Sequence, residues 1–190
     1  MRKYLGLSRY GLGVVALYAL LIPFFVVFMR GRLRYDIMRA NLALVIAVFI
    51  FTLLVFFALL AWRMGRPSLH PSRMLLAVVY GLLFALPEEI LFRGMVQGSL
   101  QAHLASVPLV ILLSSFIFGI AHLPNGAKSI GPRGWNWGFA GLTFLGGFPL
   151  GLLFVLTGSL LTPTVLHAML VAGLQSFKKK NQKNLTSMLV

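Results

Sequence analysis

Long apolar runs recur along the chain, and short polar segments separate them. A helix needs about 20 mostly apolar residues to cross the hydrocarbon of a bilayer. Six candidate spans can be drawn, over residues 10–29, 40–62, 74–99, 108–122, 139–156 and 159–177. Only the sequence TGS separates the last two, which predicts a tight helical hairpin. The pattern predicts an all-α fold, a polytopic transmembrane bundle of about six spans.

Composition supports a membrane protein. Hydrophobic residues make up 59% of the chain and charged residues 11%, both far from the values of a soluble domain. The chain has no Cys, which excludes disulfides and a thiol nucleophile. A cleaved signal peptide is an alternative for the N-terminal run, but about 20 apolar residues exceed the usual 7 to 15. We therefore interpret residues 10–29 as a retained first helix.

The net charge of +14 is concentrated in short clusters between the apolar runs. Of the 17 Lys and Arg residues, 12 lie on the side of the bilayer that carries both termini, and 4 lie in the loop 30–39 on the other side. Basic loops favour the cytoplasm, so both termini are predicted to be cytoplasmic. This distribution is not the basic face of a nucleic-acid-binding protein. We expect a multi-pass protein of a cell membrane, most simply a prokaryotic plasma membrane, with the lipid bilayer as its partner.

Glycines recur with the GxxxG spacing that lets two helix backbones approach closely in a membrane. The pairs are Gly94/Gly98 and Gly147/Gly151. We expect both pairs at helix contacts.

The predicted third span contains the sequence LPEEILFRG, with two of the chain's three acidic residues. A charge at the bilayer centre costs at least about 2.5 to 3.5 kcal/mol, so buried carboxylates suggest a functional site. Glu89 and Arg93 have the spacing of a helical ion pair. Glu88 lies about 100° further round the helix and should face another part of the bundle interior. Pro87 is expected to break the helix just before the two carboxylates.

Two more polar residues lie inside predicted spans, His122 and His167. Either one alone is more often a core or interfacial histidine, but together with the carboxylates they suggest chemistry. The chain lacks the motifs of other intramembrane proteases. It has no HExxH zinc motif. Asp36 is its only Asp, which excludes a pair of catalytic aspartates, and it has no GxSG serine turn.

Three motifs on successive spans carry a resemblance to a known family. EEILFR matches EExxxR, FGIAH matches FxxxH, and TGSLLTPTVLHAML matches a third motif in which a His follows a TGS turn. The chain thus resembles the CPBP family of intramembrane proteases, named for CAAX-processing and bacteriocin-processing enzymes. The resemblance covers the predicted core, 74–177. This core follows two predicted N-terminal helices with basic loops in 1–73, and it precedes a predicted basic cytoplasmic tail in 178–190.

The resemblance implies a glutamic intramembrane endopeptidase that cleaves a membrane-anchored peptide or protein near its C-terminus. Glu88 would be the general base that activates water, and His122 would position that water. His167 would stabilise the oxyanion, with Glu89 and Arg93 as a supporting ion pair. No metal or other cofactor is expected, although a zinc-dependent version with Glu and His ligands is an alternative.

The sequence departs from the family at Val171, where the third motif usually continues HxxxN. Loss of an oxyanion donor can cost on the order of 10² to 10³ in rate. Gln175, one turn further along, is a possible substitute donor, as is Gln97. The departure also favours an alternative, a catalytically silent member that acts as an immunity or scaffold protein. A proton-coupled carrier is a third reading, since intramembrane carboxylates also relay protons.

Overall fold

The fold was analysed in a computed structural model, which describes residues 23, 41–64, 71–125 and 134–176. All regular structure in these ranges is helical. The elements are α1 (Leu42–Met64), α2 (Pro71–Glu89), a π-helix (Ile90–Gln97), α3 (Gly98–His103), α4 (Val107–Ala121), α5 (Trp137–Thr157) and α6 (Leu161–Ser176).

Helices occupy five of the six predicted spans. The predicted span 10–29 lies outside the described residues, as do both termini, so the six spans and the orientation stay predictions. Two helices, Leu42–Trp62 and Trp137–Thr157, are long and apolar enough to cross a membrane by length and composition. Val107–Ala121 and Leu161–Gln175 are apolar but shorter. The all-helical class is thus confirmed for the described residues.

The expected break at Pro87 is wrong. Pro87 lies inside α2, which continues to Glu89 and passes directly into the π-helix. Glu89 keeps helical backbone angles at this junction. A helix break would strip further backbone groups of their partners in an apolar environment, whereas a continuous helix loses only the hydrogen bond that proline cannot donate. The irregularity therefore follows the two carboxylates, as a widened helix, instead of preceding them.

The most extensive helix contacts are those of α2 with α6 and of α4 with α5. Small residues permit them. A Cβ atom added to Gly81 of α2 would overlap the carbonyl oxygen of Ala168 in α6. One added to Gly147 of α5 would lie 2.8 Å from the Cβ of Ser115 in α4, and one added to Gly151 would lie 3.0 Å from Gln97. The expected close packing at Gly147/Gly151 is present, whereas Gly98 has no such contact with another of the described helices.

The TGS hairpin is confirmed. Thr157 ends α5, Gly158 follows with a left-handed φ of 62°, and α6 begins at Leu161. The hydroxyl of Thr157 accepts a hydrogen bond from the backbone N–H of Ser159 at 3.2 Å and lies 3.1 Å from the hydroxyl of Thr162. A glycine fits this position because left-handed backbone is strained for other residues. The hairpin fixes α6, and therefore His167, against α5.

The apolar core lies between α1, α5 and α6, with Val45, Leu150, Leu153, Leu166 and Leu170 buried together. The outer faces of the same helices are also apolar: Leu54 is 65% exposed, Leu42 60% and Leu161 42%. A soluble monomer rarely leaves so much contiguous apolar surface exposed. The outward surface is therefore suited to lipid.

Candidate active site

Glu88 and Glu89 are the last two residues of α2, immediately before the π-helix. Glu89 and Arg93 are completely buried, and Arg93 Nε lies 3.1 Å from Glu89 Oε2. The pair is an ion contact rather than an aligned hydrogen bond. The Arg93 guanidinium also lies 4.9 Å from the centre of the Phe118 ring, close enough for a cation–π contact. Helices with π geometry are rare and are found frequently at functional sites.

His122 reaches the carboxylates from the end of α4. It is the residue that follows the last helical position, and it is 7% exposed. Its Nδ1 lies 2.7 Å from the backbone carbonyl oxygen of Phe118 one turn earlier. Its Nε2 lies 3.5 Å from Glu88 Oε2. The ring therefore bridges a fixed backbone acceptor and the Glu88 carboxylate.

His167 reaches the same carboxylates from α6. Its Nδ1 lies 2.7 Å from Glu89 Oε1, and its Nε2 lies 3.7 Å from Glu88 Oε2. Glu89 thus contacts His167 with one oxygen and Arg93 with the other. The fully buried Glu89 carboxylate fixes the positions of His167 and Arg93. Glu88, in contrast, lines an adjoining cavity.

The two contacts through Nδ1 determine the proton positions on both rings. A carbonyl oxygen only accepts, so His122 must donate from Nδ1; an ionised Glu89 places the same demand on His167. A neutral imidazole that donates from Nδ1 has no hydrogen on Nε2. In the neutral rings, each Nε2 is therefore a hydrogen-bond acceptor next to Glu88. His167 can donate from Nε2 only when both its ring nitrogens carry hydrogen.

A second buried polar cluster lies beyond Arg93. Gln97, completely buried at the end of the π-helix, donates from Nε2 to the backbone oxygen of Gly151 at 2.9 Å. Ser114 of α4 donates to Gln97 Oε1 at 3.2 Å. Gln97 therefore ties the π-helix to α4 and α5. The sequence interpretation missed this role, although the spacing of Glu89, Arg93 and Gln97 along one helix face was visible.

A cavity of about 1070 Å³ adjoins the site. Glu88, His122 and His167 line it, and most of its remaining wall is apolar. Val171 and Gln175 also line it, whereas Gln97 does not. Gln97 is therefore excluded as a substitute donor in this cavity. Gln175 is exposed and lies two turns beyond His167.

The five residues Glu88, Glu89, Arg93, His122 and His167 lie together and come from three separate stretches of the chain. The carboxylate oxygen of Glu88 faces two imidazole nitrogens next to a mostly apolar cavity. Such a group can hold a water molecule and take a proton from it. A carboxylate with two imidazoles in an apolar helical bundle is the arrangement that a membrane-embedded hydrolase requires.

Comparison with known proteins gives the family. The family model described as "Type II CAAX prenyl endopeptidase Rce1-like" matches residues 70–172, just over half of the chain. The chain belongs to this Rce1-like family, and the resemblance inferred from the three motifs is confirmed. No curated protein and no solved structure matches the chain. Membership implies a protease of the CAAX endopeptidase type that acts on a membrane-anchored protein.

Proposed function

We propose that the protein is an intramembrane endopeptidase that cleaves a membrane-anchored peptide or protein near its C-terminus with water activated by Glu88. The observation that carries the proposal is the position of Glu88 Oε2, 3.5 Å from His122 Nε2 and 3.7 Å from His167 Nε2 at the cavity wall. Membership of an endopeptidase family supports the same activity.

In the proposed reaction, a water molecule lies between Glu88 and His122. One water hydrogen bonds to the Glu88 carboxylate and the other to His122 Nε2, which accepts because Nδ1 donates to Phe118. Glu88 takes a proton as the water oxygen bonds to the carbonyl carbon of the substrate. When the C–N bond breaks, Glu88 returns that proton to the leaving amine.

His167 faces the carbonyl oxygen of the substrate. It stabilises the oxyanion by donation from Nε2 when both ring nitrogens carry hydrogen, with Glu89 as the acceptor of Nδ1–H. Glu89 and Arg93 are positioning residues, since both are completely buried and neither lines the cavity.

A zinc-dependent reaction is the mechanistic alternative, because the donors that meet at Glu88 are types that zinc accepts. Yet no three His, Asp or Glu side chains among the described residues are arranged as a metal site. Arg93 also places a positive charge beside Glu89. We therefore propose metal-free hydrolysis.

A catalytically silent scaffold or immunity protein is the second candidate function. One observation favours it: Val171 presents an apolar side chain to the cavity where the third motif usually has Asn. A silent member would keep the bundle and the cavity but lack part of the catalytic machinery.

The experiment compares purified protein with Glu88→Gln and His122→Ala on a panel of membrane-anchored peptides in detergent or liposomes. His103→Ala is the matched control, because His103 is exposed at the end of α3 and does not line the cavity. We expect Glu88→Gln and His122→Ala to lose cleavage and His103→Ala to cleave like the wild type. Cleavage that survives Glu88→Gln refutes the assignment of the base.

Two further arms separate the alternatives. Activity that is lost with a chelator and restored by zinc refutes the metal-free mechanism. A wild-type protein that cleaves no peptide but binds a membrane protein partner supports the silent member instead.

A further inference from the structure

The proposed site has few donors for an oxyanion. Val171 offers none, and neutral His167 has no hydrogen on Nε2 when Nδ1 donates to Glu89. Oxyanion stabilisation is usually among the largest contributions to acyl-transfer catalysis. An endopeptidase with this site therefore needs another donor in the cavity. Such a donor, whose role rests on the proposed function, would be a further residue of the active site.

The other polar side chains at the cavity wall are poorly suited to this role. The hydroxyl of Thr52 donates to the Val48 carbonyl at 2.7 Å, and that of Thr143 lies 3.0 Å from two carbonyls of its own helix. Gln175 is exposed at the far end of α6. Asn125 lies in the turn beyond the end of α4, where its backbone N–H donates to the His122 carbonyl at 3.0 Å, so its place is beside His122, which positions the water in the proposed reaction.

Tyr80 is differently placed. It lies on the same face of α2 as Phe84 and Glu88, at successive intervals of four residues, and all three line the cavity. The rings of Tyr80 and Phe84 are 4.6 Å apart, so Tyr80 is held along this wall. Its hydroxyl makes no hydrogen bond to a group within residues 41–64, 71–125 or 134–176. Its phenol lies near enough to Glu88 for the two to interact electrostatically.

The helix crossing also brings Tyr80 to the side of His167. The next residue, Gly81, touches the backbone of Ala168, which follows His167 in α6. Tyr80 and Glu88 are eight residues apart, about 12 Å along the axis at 1.5 Å per residue. Side chains of one helix lean in the same direction, so the Tyr80 hydroxyl and the Glu88 carboxylate keep this axial separation along the cavity wall.

We propose that Tyr80 is a catalytic residue whose hydroxyl donates a hydrogen bond to the oxyanion. It would supply the donor that an Asn at position 171 would offer in the third motif. A phenol carries its hydrogen at neutral pH and is therefore a ready donor. The hydroxyl loses no proton in the reaction: it strengthens an existing hydrogen bond as charge develops on the substrate oxygen.

The test is Tyr80→Phe, which removes the hydroxyl and keeps the ring contact with Phe84. We expect kcat to fall on the order of 10²-fold to 10³-fold with KM little changed, as for loss of one oxyanion donor. Thermal unfolding should match wild type, which rules out misfolding. Ser99→Ala is the control for loss of a hydroxyl, since Ser99 is exposed and does not line the cavity.

A rescue variant separates catalysis from a structural role. Val171→Asn in the Tyr80→Phe background should recover part of the lost kcat, because it supplies an amide donor on the facing helix. A merely structural tyrosine would not be rescued in this way.

The outcomes distinguish this inference from the function on which it rests. If Glu88→Gln abolishes cleavage while Tyr80→Phe cleaves like wild type, or changes KM alone, the role of Tyr80 is refuted and the endopeptidase stands. If the wild-type protein and Val171→Asn both cleave nothing, the proposed function fails and the role of Tyr80 fails with it.

Discussion

The contact of Gly81 with α6 allows a quantitative test of how the site is assembled. A Cβ atom at this position would overlap the Ala168 carbonyl oxygen and lie 3.1 Å from its carbon, where ordinary contact begins near 3.4 Å. The obstructing atoms are backbone and cannot rotate away. In Gly81→Ala, α2 and α6 must therefore separate by on the order of 1 Å, at the typical overpacking cost of about 1 to 3 kcal/mol.

The same displacement would move a residue of the proposed active site, because His167 precedes Ala168 and contacts Glu89 at 2.7 Å. A misplacement of about 1 Å in a catalytic group can cost on the order of 10² in rate. We therefore expect Gly81→Ala to lose activity even at temperatures where it remains folded.

Gly141→Ala is the matched control, since an added Cβ meets no atom of the described part of the chain within 4 Å. An alanine in place of a helical glycine stabilises by about 0.5 to 1 kcal/mol where space is free. Thermal unfolding of both variants in one detergent should show a midpoint several degrees lower for Gly81→Ala, at roughly 2 to 4 °C per kcal/mol, and an unchanged or higher one for Gly141→Ala. Equal midpoints and equal cleavage rates in the two variants would refute the packing argument.

Three further predictions concern buried groups, each measured as the unfolding free energy in detergent. Glu89→Gln leaves the charge of Arg93 buried without its counter-ion and should cost about 3 to 5 kcal/mol, whereas the double variant with Arg93→Met should recover much of this loss; a double variant no more stable than the single one contradicts the ion-pair argument. Gly158→Ala should cost about 1 to 2 kcal/mol, because its φ of 62° is strained for alanine; a neutral effect would show that the hairpin relaxes. Gln97→Leu should be more destabilising than Ser114→Ala, since it removes two buried hydrogen bonds, each worth about 0.5 to 1.5 kcal/mol, whereas Ser114 has one hydroxyl hydrogen that is shared between Gln97 Oε1 at 3.2 Å and the Ile111 carbonyl at 3.1 Å; the opposite order would place the anchor of the π-helix elsewhere.

Much of the site was predictable because its chemistry is unusual for an apolar chain. Carboxylates are expensive within a membrane, so Glu88 and Glu89 identified the helix that matters without any structure. The spacing of Glu89 and Arg93 predicted the contact that the structure contains. The TGS turn predicted the hairpin, because three residues leave room only for antiparallel neighbouring helices.

Depth was harder to predict. Counted along ideal helices, Glu88 and His167 differ in distance from the side predicted to be cytoplasmic, yet their polar atoms lie 3.7 Å apart. One feature that narrows the gap is that helical side chains lean towards their own N-termini. In antiparallel helices these leanings bring the two side chains towards each other.

Pro87 shows why local rules fail here. Its residue type predicts a break, but the outcome depends on whether the freed backbone groups would find water. Inside an apolar bundle they would not, and the helix continues. The irregularity is instead the π-helix after Glu89, and no single residue type predicts a π-helix.

The sequence by itself determined the membrane character, the helical class, the family and the identity of the five polar residues, since each follows from residue type and spacing along one chain. The tertiary structure decided which oxygen of Glu89 contacts His167 and which contacts Arg93. It also decided that Gln97 faces Gly151 and not the cavity, and that Tyr80 faces the cavity. These contacts depend on how helices distant in sequence cross. The crossing is set by close packing at residues such as Gly81, whose small size permits a close contact but does not predict which helix makes it.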